Sequence, residues 1–275
     1  MTTRIGTIFG QEFRQVRRNL WVVLATGILG LFALALALFG AGQGAALKAD
    51  VLTITSASLA TLSVYLIPLI ALLMSYDSLA GEIERGTLAL TFATPARRWE
   101  VFLGKFLAQA TAVGLAIVLA FGVAGLTAGL SLGTGVEGIA AWLRLMATAA
   151  ALGAVFVGVG LMLSALTGRT ARAAAATVGT WLLLVVLYDV ALLGALMASG
   201  ESTFATHVFP WLVIANPADA FRLYNLTLIE TAPIAGIDGL ARTLPFPPVA
   251  ALAGHGLWLA TCLTLGVIRT RRIVP

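Results

Sequence analysis

The sequence predicts an all-α integral membrane protein with six spanning helices and an N-terminal helix lying on the membrane surface. Three observations carry this. Sixty per cent of the 275 residues are hydrophobic against 11% charged, and the mean hydropathy is +0.99, more apolar surface than one soluble core of this length hides. Six apolar runs each reach the ~20 residues needed to cross about 30 Å of hydrocarbon. The charges are gathered into a few stretches between those runs, as a cost of roughly 2.5 to 3.5 kcal/mol per ionised group at a span centre requires.

In chain order, residues 1–19 read as an amphipathic helix. Ile5, Ile8, Phe9, Phe13, Val16 and Leu20 fall on one face, with Arg14, Arg17 and Arg18 opposite, a pattern that lies along a bilayer surface among its lipids. A secretory leader has a shorter charged region and no such face, so the arm is expected to be retained. The spans come next, at about 20–40, 51–75, 106–129, 145–165, 173–198 and 249–268, within one transmembrane domain covering 1–275. Gly125, Gly129, Gly153, Gly158 and Gly160 are small residues that let spanning helices approach closely within one subunit.

Thirteen of the 17 Lys and Arg residues fall on one side of these spans, in the arm, the 76–105 segment, the 166–172 turn and the tail. Lys48, Arg144, Arg222 and Arg242 are left on the other. The positive-inside rule therefore places both termini and the 76–105 segment in the cytoplasm, with the spans in a bacterial inner membrane. Topology accounts for the pI near 10.0. No basic stripe interleaved with aromatics appears, and no nucleic-acid partner is expected.

Several chemistries are disfavoured by the residues present. Cys262 is the single cysteine, so no internal disulfide forms. His207 and His255 stand apart, and Met74, Met146, Met162 and Met197 make no close cluster, so no metal site is expected. The only Gly-Lys pair, Gly104-Lys105, has Trp99 where a phosphate-binding loop needs glycine and Phe106 where it needs Ser or Thr. The chain is thus expected to be non-catalytic and without its own cofactor. Any ATPase is another polypeptide.

Asp189 lies about two-thirds along the fifth run, where an ionisable group faces a polar cavity or a partner. Depth counting at about 1.5 Å per residue puts His255 and Arg144 near its level, so an Asp189–His255 or Asp189–Arg144 pair is expected, structural or part of a gate. An aspartyl protease pairing Asp77 with Asp189 is disfavoured. Asp189 sits roughly 24 Å above the inner end of its span, whereas Asp77 is at the inner end of its own.

The segment 76–106, YDSLAGEIERGTLALTFATPARRWEVFLGKF, is too charged for hydrocarbon and must lie in water, poised for a partner. Leu79, Ile83 and Leu88 predict an apolar face beside Glu82, Glu84 and Arg85, and Thr94-Pro95 ends the helix. On the far side, 199–248 is long and holds Trp211, Phe221, Tyr224 and six prolines, which points to a binding role. Helices are predicted near 209–214 and over 217–226, the second with Asn216 as N-cap and Pro217 at its first position. Arg222 and Tyr224 are its expected anchors, with Asn216 and Asp219 beside them.

These segments resemble a known family. Glu82, Glu84, Gly86, Thr87 and Leu88, then Pro95 and Gly104-Lys105, are similar to the loop between spans two and three of ABC-2 type transporter permeases. The run from Ile67 to Leu73 leading into Tyr76-Asp77 and Gly81-Glu82 adds a narrower likeness, as does Asn216-Pro217-Ala218-Asp219 before Phe221-Arg222-Leu223 and Asn225-Leu226. Both resemble the NosY-type membrane subunit of the ABC complex that matures nitrous oxide reductase, over essentially the whole chain. The resemblance implies a type V exporter-like fold in which two copies form the membrane part. Each would dock a cytoplasmic ATPase, which holds ATP and magnesium, through a coupling helix carrying Asp77, Glu82, Glu84, Arg85, Thr87 and Leu88. It also implies a periplasmic β-helical copper-handling partner. With no ladder of soft ligands in the spans, mechanical transmission is expected in place of copper passage. An ABC-2 exporter of a lipid, antibiotic or glycan is the competing expectation, to be discriminated by the neighbouring genes.

Overall fold

The computed structural model describes residues 2–39, 50–132, 134–199, 203–227 and 245–273. Lys48 and Arg242, assigned above to the outer side, lie outside the described residues, as does the 228–244 part of the long outer segment. Every regular element described is helical, and six helical stretches are long and apolar enough to cross a membrane.

The amphipathic arm forms α1 (Thr2–Arg17) and runs along the side of a later span, α6 (Arg98–Leu132), before α2 (Leu20–Phe39) makes the first crossing. The second crossing, α3 (Val51–Ser75), is capped by Asp50, whose carboxylate accepts from Leu52 N at 2.9 Å. That carboxylate also takes the Thr134 hydroxyl at 2.9 Å and Gly135 N at 2.5 Å, joining the start of α3 to that of α7 (Val136–Thr167). A Cβ at Gly138 would run into the same carboxylate.

Between α3 and α6 lie two short helices, α4 (Asp77–Glu84) and α5 (Leu88–Phe92). At 35 residues α6 is longer than the apolar run that announced it, because the charged residues Arg98 to Lys105 form its first two turns. Gly86, at φ 70, turns the chain between α4 and α5, a left-handed conformation that glycine adopts without Cβ strain. Gly168, at φ 64, ends α7 in the same way.

The fifth crossing is composite: α8 (Thr170–Trp181), a π-helical turn (Leu182–Leu187) and α9 (Tyr188–Ser199). A second π turn (Phe204–Val208) leads into α10 (Phe209–Ala215) and α11 (Pro217–Thr227), and α12 (Ala250–Arg271) is the last crossing. The centre of the bundle is α7, flanked by α3, α6 and α12. Glycines permit that packing. A Cβ at Gly160 would meet Ser75 of α3, one at Gly153 would meet Val113 of α6, and one at Gly125 would meet Trp142. That indole N–H donates to the Phe121 carbonyl at 3.1 Å, so these close approaches lie within one chain, as the sequence suggested.

Candidate functional site

The charged end of the bundle is built around α4. Tyr76 keeps helical backbone angles (φ −61, ψ −34), so α3 leads directly into α4. The first turn of a helix has amides without intrahelical partners, and here Leu79 and Ala80 donate to the buried Ser164 hydroxyl of α7 at 3.0 and 2.8 Å. Thr170 of α8 ties both ends of α4: Glu84 accepts from Thr170 N at 3.0 Å, and the Thr170 hydroxyl donates to Asp77 at 3.1 Å. Arg85 stands 3.7 Å from Asp77 with both side chains well exposed, an ion pair of small energetic weight. Thr87 donates its hydroxyl to the Glu82 carbonyl at 3.4 Å.

Lys105 is the hub. Its side chain is 1% exposed, and its ammonium reaches Glu12 of α1 at 2.6 Å and Glu82 of α4 at 2.7 Å. One buried cation from α6 therefore holds three helices whose partner residues are 93 and 23 positions away. Two more straps surround it. Arg4 donates to the Pro95 carbonyl at 2.9 Å, and Arg98, over the Phe92 ring, donates to the carbonyls of Arg271 and Ile273 at 2.9 and 2.6 Å.

This arrangement corrects part of the coupling surface read from sequence. Leu79 and Leu88 are 0% and 1% exposed and Ile83 packs against the core, so the apolar face is turned onto the chain's own bundle. Glu82 is engaged by Lys105. The spacing predicts one continuous helix over 79–88, but the turn at Gly86 re-aims the residues beyond it. The exposed rim consists of Glu84, Arg85, Gly86, Thr87, Ala89 and Leu90, and Leu90 is 73% exposed. Leu90, Glu12 and Lys105 were not assigned roles from sequence; a leucine left in water within a polar segment is the one local signal that marks any of them.

At the opposite end, α11 is wedged between α3, α7 and α12. Asn216 caps it, accepting from Ala218 N at 3.1 Å, with Pro217 in the first turn. The Asn216 amide donates to Asp219 at 2.9 Å and to the Leu184 carbonyl at 2.5 Å. Leu184 lies in the π turn, where widened i→i+5 bonding frees backbone groups. Arg222 completes the cluster, with Nη2 at 3.0 Å from Asp219, and with Nη1 and Nη2 at 3.2 and 3.4 Å from the two oxygens of Asp189.

Asp189 thus pairs with Arg222, in place of the His255 or Arg144 expected from depth. Depth fixes a level along the bundle but not which helix stands next to span five, and here α11 enters between them. His255 instead approaches the Ala251 carbonyl of its own helix at 3.1 Å, with Nε2 unpartnered, and Arg144 leaves Nε unpartnered. The docking role read for Asn216, Asp219 and Arg222 also changes. They are 1%, 2% and 7% exposed, so an outside partner meets none of them directly; Tyr224 is half-buried. Burial first, then the adjoining Asp189 carboxylate, push the Asp219 carboxyl up to about 8, while Arg222 and Asn216 oppose the shift. Among the described residues, no three His, Cys, Asp or Glu side chains gather as a metal set.

Six helical stretches among the described residues that are long and apolar enough to cross a membrane, with a charged segment strapped across one end, define a multi-pass helical membrane protein. The chain matches the ABC-2 family transporter proteins over residues 6–272 and belongs to that family. Two relatives carry the name "Probable ABC transporter permease protein NosY". That of Pseudomonas aeruginosa is 35% identical over 274 residues, covering 98% of this chain and 99% of the relative. That of Stutzerimonas stutzeri is 35% identical over 268 residues, covering 96% and 94%.

Proposed function

We propose that this chain is the membrane subunit through which a separate cytoplasmic ATPase drives conformational change at a periplasmic partner, in copper-site maturation of nitrous oxide reductase. The observation that carries this is the likeness to NosY permeases, 35% identity over 98% of the chain. Two copies form the membrane part in the inner membrane, with both termini cytoplasmic. The ATPase binds the ATP and magnesium, and the permease is not catalytic. A periplasmic β-helical copper-handling protein receives the motion on the outer face.

Force applied to the exposed Glu84–Leu90 rim has a physical route inward: from α4 to α7 through Ser164, to α8 through Thr170, and to α1 and α6 through Lys105. Polar bonds of this kind have discrete made and broken states, as a switching element requires. The test is genetic and chemical together. A strain lacking this chain should accumulate nitrous oxide reductase without its copper; copper-replete reductase in that strain overturns the proposal. For the docking rim, Leu90→Asp should lower co-purification of the ATPase at least about ten-fold, the scale of one lost interface anchor. Its own unfolding temperature should stay unchanged, because Leu90 is already in water. Undiminished co-purification would remove Leu90 from the interface.

A further inference from the structure

A polar cavity of about 290 Å³ lies between α1, α4 and α6 at the charged end. Its walls bring three carboxylates, Glu12, Asp77 and Glu82, against two cations, Arg85 and Lys105, a formal balance of −1. Two acceptor atoms, Glu82 Oε2 and Gln109 Oε1, are buried without a hydrogen-bond partner, and Gln109 as a whole is 3% exposed. A buried acceptor left without a donor costs about 1 to 3 kcal/mol. The Lys105 ammonium is committed to the other oxygen of Glu82 and to Glu12. The cavity is therefore short of one positive charge and of N–H donors.

Its place narrows the occupant. No three metal-ligating side chains converge among the described residues, so the missing cation is not a metal held by a protein cage. The volume is several times the ~30 Å³ share of one liquid water. α1 is the amphipathic helix that lies at the bilayer surface, and its Val16 lines the cavity together with Leu73 of α3. Apolar side chains on one part of the wall and acids on the rest describe a headgroup depth, between hydrocarbon and water.

We propose that this cavity binds the primary ammonium headgroup of an ethanolamine phospholipid. The three N–H donors of –NH3⁺ match Glu82 Oε2, Gln109 Oε1 and the Asp77 carboxylate, and the ammonium places one positive charge among the cavity's acids although the phospholipid as a whole is a neutral zwitterion. A choline headgroup carries the same charge but has no N–H to donate. A bound ethanolamine lipid fastens α1 to α4 and α6 beside the Lys105 hub, so it stabilises the element proposed to carry coupling. The inference rests on α1 lying at a membrane surface and is independent of which leaflet that is and of the partner's identity.

The test uses the full-length chain in nanodiscs of dioleoyl phosphatidylglycerol with either dioleoyl phosphatidylethanolamine or its phosphatidylcholine counterpart, equal in charge and chain. The ethanolamine lipid should raise the unfolding temperature by about 4 °C over choline. N-methyl and N,N-dimethyl lipids should fall between. Gln109→Leu and, separately, Asp77→Asn should shrink the difference between the two lipids, which is read within each variant and so is insensitive to its own stability. Native mass spectrometry should retain the ethanolamine lipid on the parent chain and lose it in the variants. Equal unfolding temperatures in the two lipids overturn the proposal, as does a difference that both variants preserve. Free ethanolamine reproducing the whole shift in choline discs would show a soluble amine site and overturn the lipid assignment. Protection seen only when the ATPase is added would assign the cavity to a basic side chain of that partner and overturn it likewise.

Discussion

Replacing Arg222 by Met should destabilise the bundle by about 3 to 5 kcal/mol, the usual cost of removing one member of a buried charge cluster. Methionine approximates the apolar stem of arginine, so the loss is electrostatic. Asp219, 2% exposed, and Asp189, 14% exposed, would face each other without the guanidinium that bonds both. At about 2 to 4 °C per kcal/mol for a chain of this size, unfolding in detergent should shift by roughly 10 °C. Adding Asp189→Asn should recover most of it, since the neutral amide removes the poorly hydrated carboxylate left without its guanidinium. An Arg222→Met protein as stable as the parent would show that the cluster holds nothing together. That result, with an outer partner lost from the complex, would restore the docking role read from sequence.

The same cluster carries a pH signature. The Asp219 carboxyl is raised from 3.8 to about 8 in the folded chain, so folding favours its protonated form. Its contribution to stability is therefore complete below about 3.8 and is lost as pH rises through about 8. Neutral Asp219 leaves one carboxylate against one guanidinium, whereas ionisation adds an uncompensated buried charge. Stability should fall progressively from about pH 4 to about pH 8 and level off above that, and Asp219→Asn should flatten the slope. A slope unchanged by the substitution would assign the titration elsewhere.

Features legible in the sequence and features hidden from it divide along a physical line. Hydrophobic run length and charge clustering are local, and they were sufficient for six crossings and an amphipathic first helix. The Asn216-Pro217 start of α11 was equally plain, because an N-cap and a first-turn proline act within a few residues. The candidate sites depend on contacts that sequence does not order. Lys105 meets a glutamate 93 positions away, and Arg222 meets an aspartate 33 positions away. Neither pairing can be had from period or spacing. The turn at Gly86 was hidden in another way: past one left-handed residue, Leu88 stays buried beside Leu79 while Leu90 is left in water. The long outer segment read as a docking loop because prolines and aromatics in a long connection suggest a surface element. Instead α11 is enclosed by the bundle, and its polar residues satisfy one another there.

Lys105→Met is expected to have the second large effect, and it separates fold from coupling. Lys105 is 1% exposed, between Glu12 and Glu82 at 13% and 18%, so its loss leaves two poorly hydrated carboxylates and should cost about 3 to 5 kcal/mol. Detachment of α1 is expected as well, because Glu12 is its ionic tie to α6; protease access to the first 20 residues measures that. Adding Glu12→Gln and Glu82→Gln removes the repulsion and should restore the unfolding temperature to near that of the parent. Coupling should not return with it. Neutral side chains at this junction lack the charge-assisted bonds, roughly twice as strong as neutral ones, that make α1, α4 and α6 move together. The triple variant is thus expected to insert, resist protease and retain the ATPase, while permease-dependent stimulation of ATP hydrolysis stays well below that of the parent chain. Stimulation at the parent level in that stable triple variant would show that the Lys105 hub is architectural, and the route from the exposed rim would then have to run through Ser164 and Thr170 alone.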